Sequence, residues 1–203
     1  MIKRLFYKPT RYEPVIPADS LTLSPDGIAG SIHAEPMRHV LIVPQSTLDE
    51  FGLTPGDLRE NVVIDDSSFG GLHELPSGTV LGLGDVDIRL TIHCEPCPRM
   101  NPVVSDYRVL KDKRGYLGTI TKGGTIKLGD LVVPKGVRYE AIPFDLKERI
   151  LWYLDKQDSP VPVTTLVKEV GLSVSYCRVI PNVLRDLPKA KAKVLFAKDQ
   201  APT

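Results

Sequence analysis

From Ile2 to about Pro143, short runs of β-type residues follow one another, each closed off by a turn signal, and this alternation restrains the fold more than any other feature. The runs are IKRLFY, HVLIV, NVVI, TVLGLG, DIRLTI, RVLKD, LGTIT, TIKLGD and LVV, and between them stand PDG, PGD, PSG, GLGD, KGG and PKG. Glycine supplies positive φ and proline presets φ, so these clusters reverse the chain where a strand would otherwise run on. Many short strands at such spacing point to a closed or nearly closed barrel, not a parallel α/β sheet. One helix interrupts them at STLDEFG, with Ser46 as N-cap, Asp49 and Glu50 in the first turn and Gly52 as the stop.

Around Ile142-Pro143 the texture changes, and the sequence reads as two modules, residues 1–143 and 144–203. Asp145 followed by Glu148 has the form of a capping box, and Leu146, Ile150, Leu151 and Leu154 recur at helical spacing behind it. A second helix is expected over VTTLVKEV, stopped by Gly171, and a third from Ser173, carried by Tyr176, Val179, Ile180, Val183, Leu184 and Leu187. Pro181 would cost a regular helix about 3 kcal/mol, so a kink or fresh start is expected there. The closing KAKAKVLF reads as a strand or wing.

With 42% hydrophobic and 25% charged residues, the chain is ordinary globular material, and no apolar run is long enough to span a bilayer. The opening MIKRLFYKPTRYEP has no apolar core before its first proline, so a signal peptide is not expected. Three cysteines are too few and too odd for an oxidising compartment, and a cytoplasmic protein without membrane association is expected. A net charge of +1 excludes a chain designed wholesale for polyanions, although its last thirty residues are modestly basic.

Chemistry concentrates in IHCEPCPRMNP, Ile92 to Pro102. Cys94 and Cys97 are spaced C-x-x-C, and Pro96 and Pro98 stiffen the chain on either side of Cys97. The alternating VDIRLTI places the pair where a strand gives way to a rigid loop. A lone C-x-x-C is half of a structural zinc site, and the four histidines lack ligand spacing. A thioredoxin-like redox pair would need a βαβ setting. Two buried structural cysteines remain the plain alternative, against which Arg99, with Arg59 and Arg114 if the fold brings them near, would favour a thiolate. In TPGDLRENVVI a tight turn feeds a strand, which would put Arg59 and Asn61 on one face, suited to a phosphate or a polar heterocycle.

In their order, GIAGSIHAEPMRHVLIV, LTPGDLRENVVIDD, LPSGTVLGLGDVDIRLTIHCEPC and RGYLGTITKGGTIKLGDLV resemble the MOSC domain, named for the C-terminal part of molybdenum cofactor sulfurases. The similarity runs over roughly residues 20–135. It implies a mainly β fold, a MOSC-type β-barrel followed by a small helical, winged-helix-like module. It also implies that Cys97, matching the family's cysteine after proline, is the thiolate that coordinates molybdenum or carries its sulfur, with Cys94 as a second sulfur partner. Arg38, Arg59 and Asn61 fall on family motif positions and would hold molybdopterin or its phosphate; Arg99 and Arg114 join them on charge alone. Ser31 stands where the family usually has an acidic residue. Two activities follow from the resemblance: an oxidoreductase that reduces N-hydroxylated compounds with an external electron donor, or a sulfur carrier that works with a sulfur donor protein.

The last sixty residues are similar, in the order PFDLKERILWYL, VPVTTLVKEVGL, SYCRVIPNVLRDLP, to the winged-helix DNA-binding part of alkyltransferase-like proteins. That similarity implies DNA contact through Arg178, in the place of an intercalating arginine, with Arg185, Lys189, Lys191 and Lys193 near phosphates. Thr165 replaces the base-flipping tyrosine and no PCHR acceptor motif follows, so alkyl transfer is not implied.

Overall fold

A computed structural model describes residues 1–33 and 35–196. They form two units, one of residues 1–33 and 38–141, the other of residues 35–37 and 142–196. No helix among the described residues is long and apolar enough to cross a membrane.

The first unit is built on β1 (Ile2–Tyr7), β2 (Ile16–Ala18), β3 (Ser20–Ser24), β4 (Gly27–Ile28), β5 (Val40–Pro44), α1 (Gln45–Phe51), β6 (Val62–Ile64), β7 (Thr79–Leu83), β8 (Val86–His93), β9 (Tyr116–Lys122), β10 (Gly124–Lys127) and β11 (Val132–Val137). Eight strands make one sheet in the order β11-β7-β8-β9-β5-β6-β1-β2, and β10-β3-β4 make a second. Ile42 of β5 is opposite Val62 of parallel β6 and Tyr116 of antiparallel β9. All five β5 residues are buried, which explains its unbroken apolar run: a strand covered on both faces has no polar side to show. Leu21, Leu23, Ile28 and Ile126 of the small sheet join Leu5, Ile42, Ile64, Leu81 and Ile88 of the large one in a single core. Each such side chain contributes about 1.5–3 kcal/mol on burial, and this shared core holds the sheets together.

Of the closed or nearly closed barrel expected, full closure is not seen among the described residues. β2 and β11 are the free edges of the large sheet, and no strand ladder joins them. Pro17 lies inside β2 and Pro134 inside β11, each removing an N–H that a closing ladder would need. The sheet nevertheless curls until Ile2 of β1 reaches the turn ahead of β11, its N–H donating to Asp130 O (2.9 Å) and its carbonyl accepting from Gly129 N–H (2.9 Å).

Other expectations are corrected locally. RVLKD is not a strand but a 3₁₀ turn, Tyr107–Leu110, because the Asp106 carboxylate accepts the Arg108 N–H and caps it. β3, with its alternately buried SLTLS, was hidden by its polar half. Helix α1 starts after Pro44 with no side-chain cap, so Ser46 lies inside the helix; Gly52 does end it, at φ 62°.

The second unit contains α2 (Leu146–Leu154), β12 (Val161–Pro162), α3 (Val163–Glu169), α4 (Ile180–Val183), α5 (Pro188–Ala192) and β13 (Val194–Leu195). Asp145 caps α2 by accepting the Glu148 N–H, and Gly171 follows α3 at φ 73°. Ile150, Leu154, Leu166, Val167, Ile180 and Leu184 form its own core. The long third helix is replaced by a 3₁₀ segment, Val174–Arg178, and the single turn α4 with Pro181 in its first positions. KAKAKVLF makes no hairpin wing among the described residues: Pro188–Ala192 is helical, and β13 pairs in parallel with β12. The Val194–Leu195 end of that stretch is a strand, and the winged-helix geometry expected of this unit is not confirmed by its described residues.

Candidate functional site

At the end of β8 the Cys94 N–H donates to Gly115 O (2.8 Å), drawing the residue inward until it is only 1% exposed. Three residues on, Cys97 is extended (φ −143°, ψ 163°) between its two prolines, and Pro98 opens a 3₁₀ turn, Pro98–Met100. Met100 N–H returns to Cys97 O (2.9 Å) and its side chain is buried, so the loop is anchored just past the thiol. All three cysteines are free. Cys97 is half-buried and Cys94 buried, so the C-x-x-C pair splits into one reachable thiol and one packed thiol.

Buried Arg114 holds this loop from the other side. Its Nη1 donates to Glu95 O at 2.7 Å and lies 3.7 Å from Cys97 Sγ. Gly115 makes that approach feasible: it has φ 109°, and a Cβ there would lie 2.5 Å from Ile42 O. Beneath it, Gly115 N–H donates to His73 Nε2 (3.2 Å), and the His73 and His93 rings meet edge to face at 5.5 Å. Burial pushes His73 down to about 4, helped by His93.

Three further basic groups converge. Arg59 is held below its usual range first by burial, then by Arg99 and Arg114. Lys8 is pushed down to about 8 by burial, with Arg59 and Arg114 adding to the fall and Cys94 and Glu60 opposing it. Lys8 is fixed at both ends. Its N–H donates to Ser31 Oγ (2.9 Å), its carbonyl accepts from Ile32 N–H (2.7 Å), and Nζ donates to Asn61 Oδ1 (3.3 Å). Ser31, in place of an acidic residue, thus serves as an acceptor for the backbone of this lysine.

The expected shared face of Arg59 and Asn61 is not formed, because Arg59 adopts φ 60° and β6 begins only at Val62. Asn61 turns into the core, accepting from Leu41 N–H (3.0 Å) and donating to Phe6 O (3.2 Å). It orients Lys8 and ties β5 to β1; a ligand contact is not what its buried amide is free to make. Arg59 instead donates to Glu13 O (2.7 Å) and Arg11 O (3.1 Å), and the Arg99 guanidinium lies 5.1 Å from the Tyr12 ring centre. Glu60 is fully buried: Oε1 accepts from Gly56 N–H (2.6 Å), while Oε2 finds no hydrogen-bond partner among the described residues. Arg114 Nε is likewise buried and unmatched there.

The fold therefore brings together Cys94, Cys97, Arg59, Arg99 and Arg114, with Asn61 behind them. Arg38 is half-buried two residues ahead of β5. Lys8, Glu60 and Tyr12 lie among these groups without having been singled out in the sequence, and Ser31 joins them; a lysine and an aromatic past the end of β1 were the available signal. Among the described residues no group of three or more His, Cys, Asp or Glu could cage a metal. One thiol and a basic surround suit a metal that arrives already held in an anionic organic ligand. In the second unit Arg178, Arg185, Lys189 and Lys191 are exposed, Arg185 bonds to Asn182 Oδ1, and Lys193 Nζ is spent on Leu154 O and Gln157 O.

The family model described as the MOSC domain matches residues 29–133. Solved structures agree on the fold. YuaD from Bacillus subtilis is 18% identical, with 65% of this chain and 97% of that one covered and a TM-score of 0.56. YiiM from Escherichia coli is 19% identical, covered 94% on both sides, TM-score 0.51. YiiM from Geobacillus stearothermophilus is 12% identical, covered 91% and 100%, TM-score 0.56. None of the curated proteins matches the chain in sequence.

Proposed function

This chain belongs to the MOSC domain family, and from that premise we propose that it binds molybdenum cofactor through the Cys97 thiolate and reduces N-hydroxylated compounds. The observation that carries the reading is the half-buried Cys97 thiol with the Arg114 guanidinium 3.7 Å away, among basic side chains that suit a phosphate-bearing pterin. Arg114 Nε adds a buried donor without a hydrogen-bond partner among the described residues.

Cys97 is the metal ligand, its direction fixed by Pro96, Pro98 and the Met100 anchor. Arg114 is a positioning residue: it holds the loop through Glu95 O and keeps positive charge beside the sulfur. Lys8, Arg59 and Arg99 supply the positive field for the cofactor's phosphate. When bound, the cofactor supplies a centre that passes two electrons, obtained from an external donor, to the substrate. The balance is R₂N–OH + 2e⁻ + 2H⁺ → R₂NH + H₂O. Burial of Cys94 leaves Cys97 as the more reachable thiol of the pair.

The test is reduction of an N-hydroxylated base by protein purified from a cofactor-producing host, with a chemical electron donor. Wild-type protein should turn over and Cys97→Ser should not. Equal rates in both would overturn the assignment.

A further inference from the structure

Tyr12 is 78% exposed, yet the backbone around it is tightly held. Arg59 donates to the carbonyls of Arg11 and Glu13, the residues on either side of it, at 3.1 and 2.7 Å. Thr10 closes the same turn: its hydroxyl donates to Glu13 Oε2 (3.0 Å) and accepts the Glu13 N–H (3.2 Å). Arg59 is held in the left-handed region to do this, a conformation that disfavours any residue with a Cβ. Fixing an exposed aromatic in this way gains no burial, so core packing does not account for it. Arg99, two residues past Cys97, covers one side of the ring at 5.1 Å.

We infer that Tyr12 is a specificity-determining residue: a ring-stacking platform held against Arg99, two residues past Cys97, that selects planar aromatic substrates over non-planar ones. One ring face meets Arg99, and the exposure of the side chain leaves room for a flat π-system against it. Stacking needs only a π-face and is tolerant of the heterocycle's edge, so the class selected is planar N-hydroxylated aromatics as a group. The inference rests on the reductase reading for the N–OH group alone; the preference for flat rings belongs to the protein surface and is read by binding.

The experiment is calorimetric titration of wild type, Tyr12→Phe and Tyr12→Ala with N-hydroxybenzamide and N-hydroxycyclohexanecarboxamide, which share the hydroxamic head and differ in ring planarity. Wild type and Tyr12→Phe should bind the aromatic probe about ten-fold more tightly, and Tyr12→Ala should lose the preference. Equal binding by wild type, or a preference that survives Tyr12→Ala, would overturn the proposal. Pterin content should be the same in wild type and Tyr12→Ala; its loss in the variant would show that the ring serves the cofactor and would overturn the substrate role. Discrimination between the probes with no reduction of either by molybdenum-loaded protein given an electron donor would sink the reductase reading and leave the platform standing.

Discussion

Each unit buries one arginine, and the two are used differently. Arg149 of the second unit is 1% exposed and donates to Phe144 O (2.9 Å) and Pro143 O (3.3 Å), tying the start of α2 to the chain that leads into it. Arg114 of the first unit, 7% exposed, makes the same kind of bond to Glu95 O but also lies 3.7 Å from the Cys97 sulfur. Arg149 closes a loop of five or six residues, whereas Arg114 joins chain seventeen to nineteen residues apart and stands beside a half-buried thiol. The second unit is the more local in its helices and turns, although Lys193 Nζ reaches Leu154 O thirty-nine residues away; the first depends on pairings such as Lys8 with Asn61, fifty-three residues apart.

That contrast can be broken most severely at glycine. Gly115→Ala should cost the first unit more than about 3 kcal/mol, because the new Cβ would meet Ile42 O at 2.5 Å and φ is 109°. Gly171→Ala in the second unit, at φ 73°, should cost about 1 kcal/mol. Urea unfolding of both variants measures the difference, and equal losses would erase the distinction drawn between the units. Next in size, Asn61→Ala should cost about 2–4 kcal/mol by leaving Leu41 N–H and Phe6 O without their partner, and should free Lys8 Nζ; hydrogen exchange at Leu41 reads it.

A pH effect follows, confined to the first unit. His73 stays neutral in the fold down to about 4, under burial, His93 and Lys113, with Asp66 and Asp112 opposing, whereas the unfolded chain protonates it near 6.5. The unfolded state binds the extra proton in between. Stability from this group is therefore complete above about pH 6.5 and is lost as pH falls towards 4, by on the order of 1–3 kcal/mol. His73→Gln should flatten that slope by up to one proton; an unchanged slope would contradict it. The smallest effect is local, in the second unit: Asp145→Ala should cost about 1 kcal/mol through the lost cap on Glu148 N–H, seen as fraying of α2 by circular dichroism.

Much of this was legible in the chain. HVLIV and NVVI became β5 and β6 because their apolar runs match strands with covered faces, and IKRLFY became β1 with Ile2, Leu5 and Phe6 buried and Arg4 exposed. RVLKD misled because β-type residues beside Asp106 could be turned by one carboxylate, which composition does not show. Full and near closure of the barrel stayed open in the sequence, since a strand count cannot reveal that Pro17 and Pro134 fall on the two edges. Cys97, Arg99 and Arg114 were visible as a thiol and charges. Lys8, Glu60 and Tyr12 were not, because their roles come from contacts across the sheet and from one arginine in an unusual backbone conformation.

The most direct test is the molybdenum and pterin content of wild-type and Cys97→Ala protein purified side by side from a cofactor-producing host. Near-stoichiometric cofactor in the wild type and a loss of most of it in the variant is the expected result. Equal content in the two, whether high or negligible, would contradict the assignment of Cys97 as the ligand.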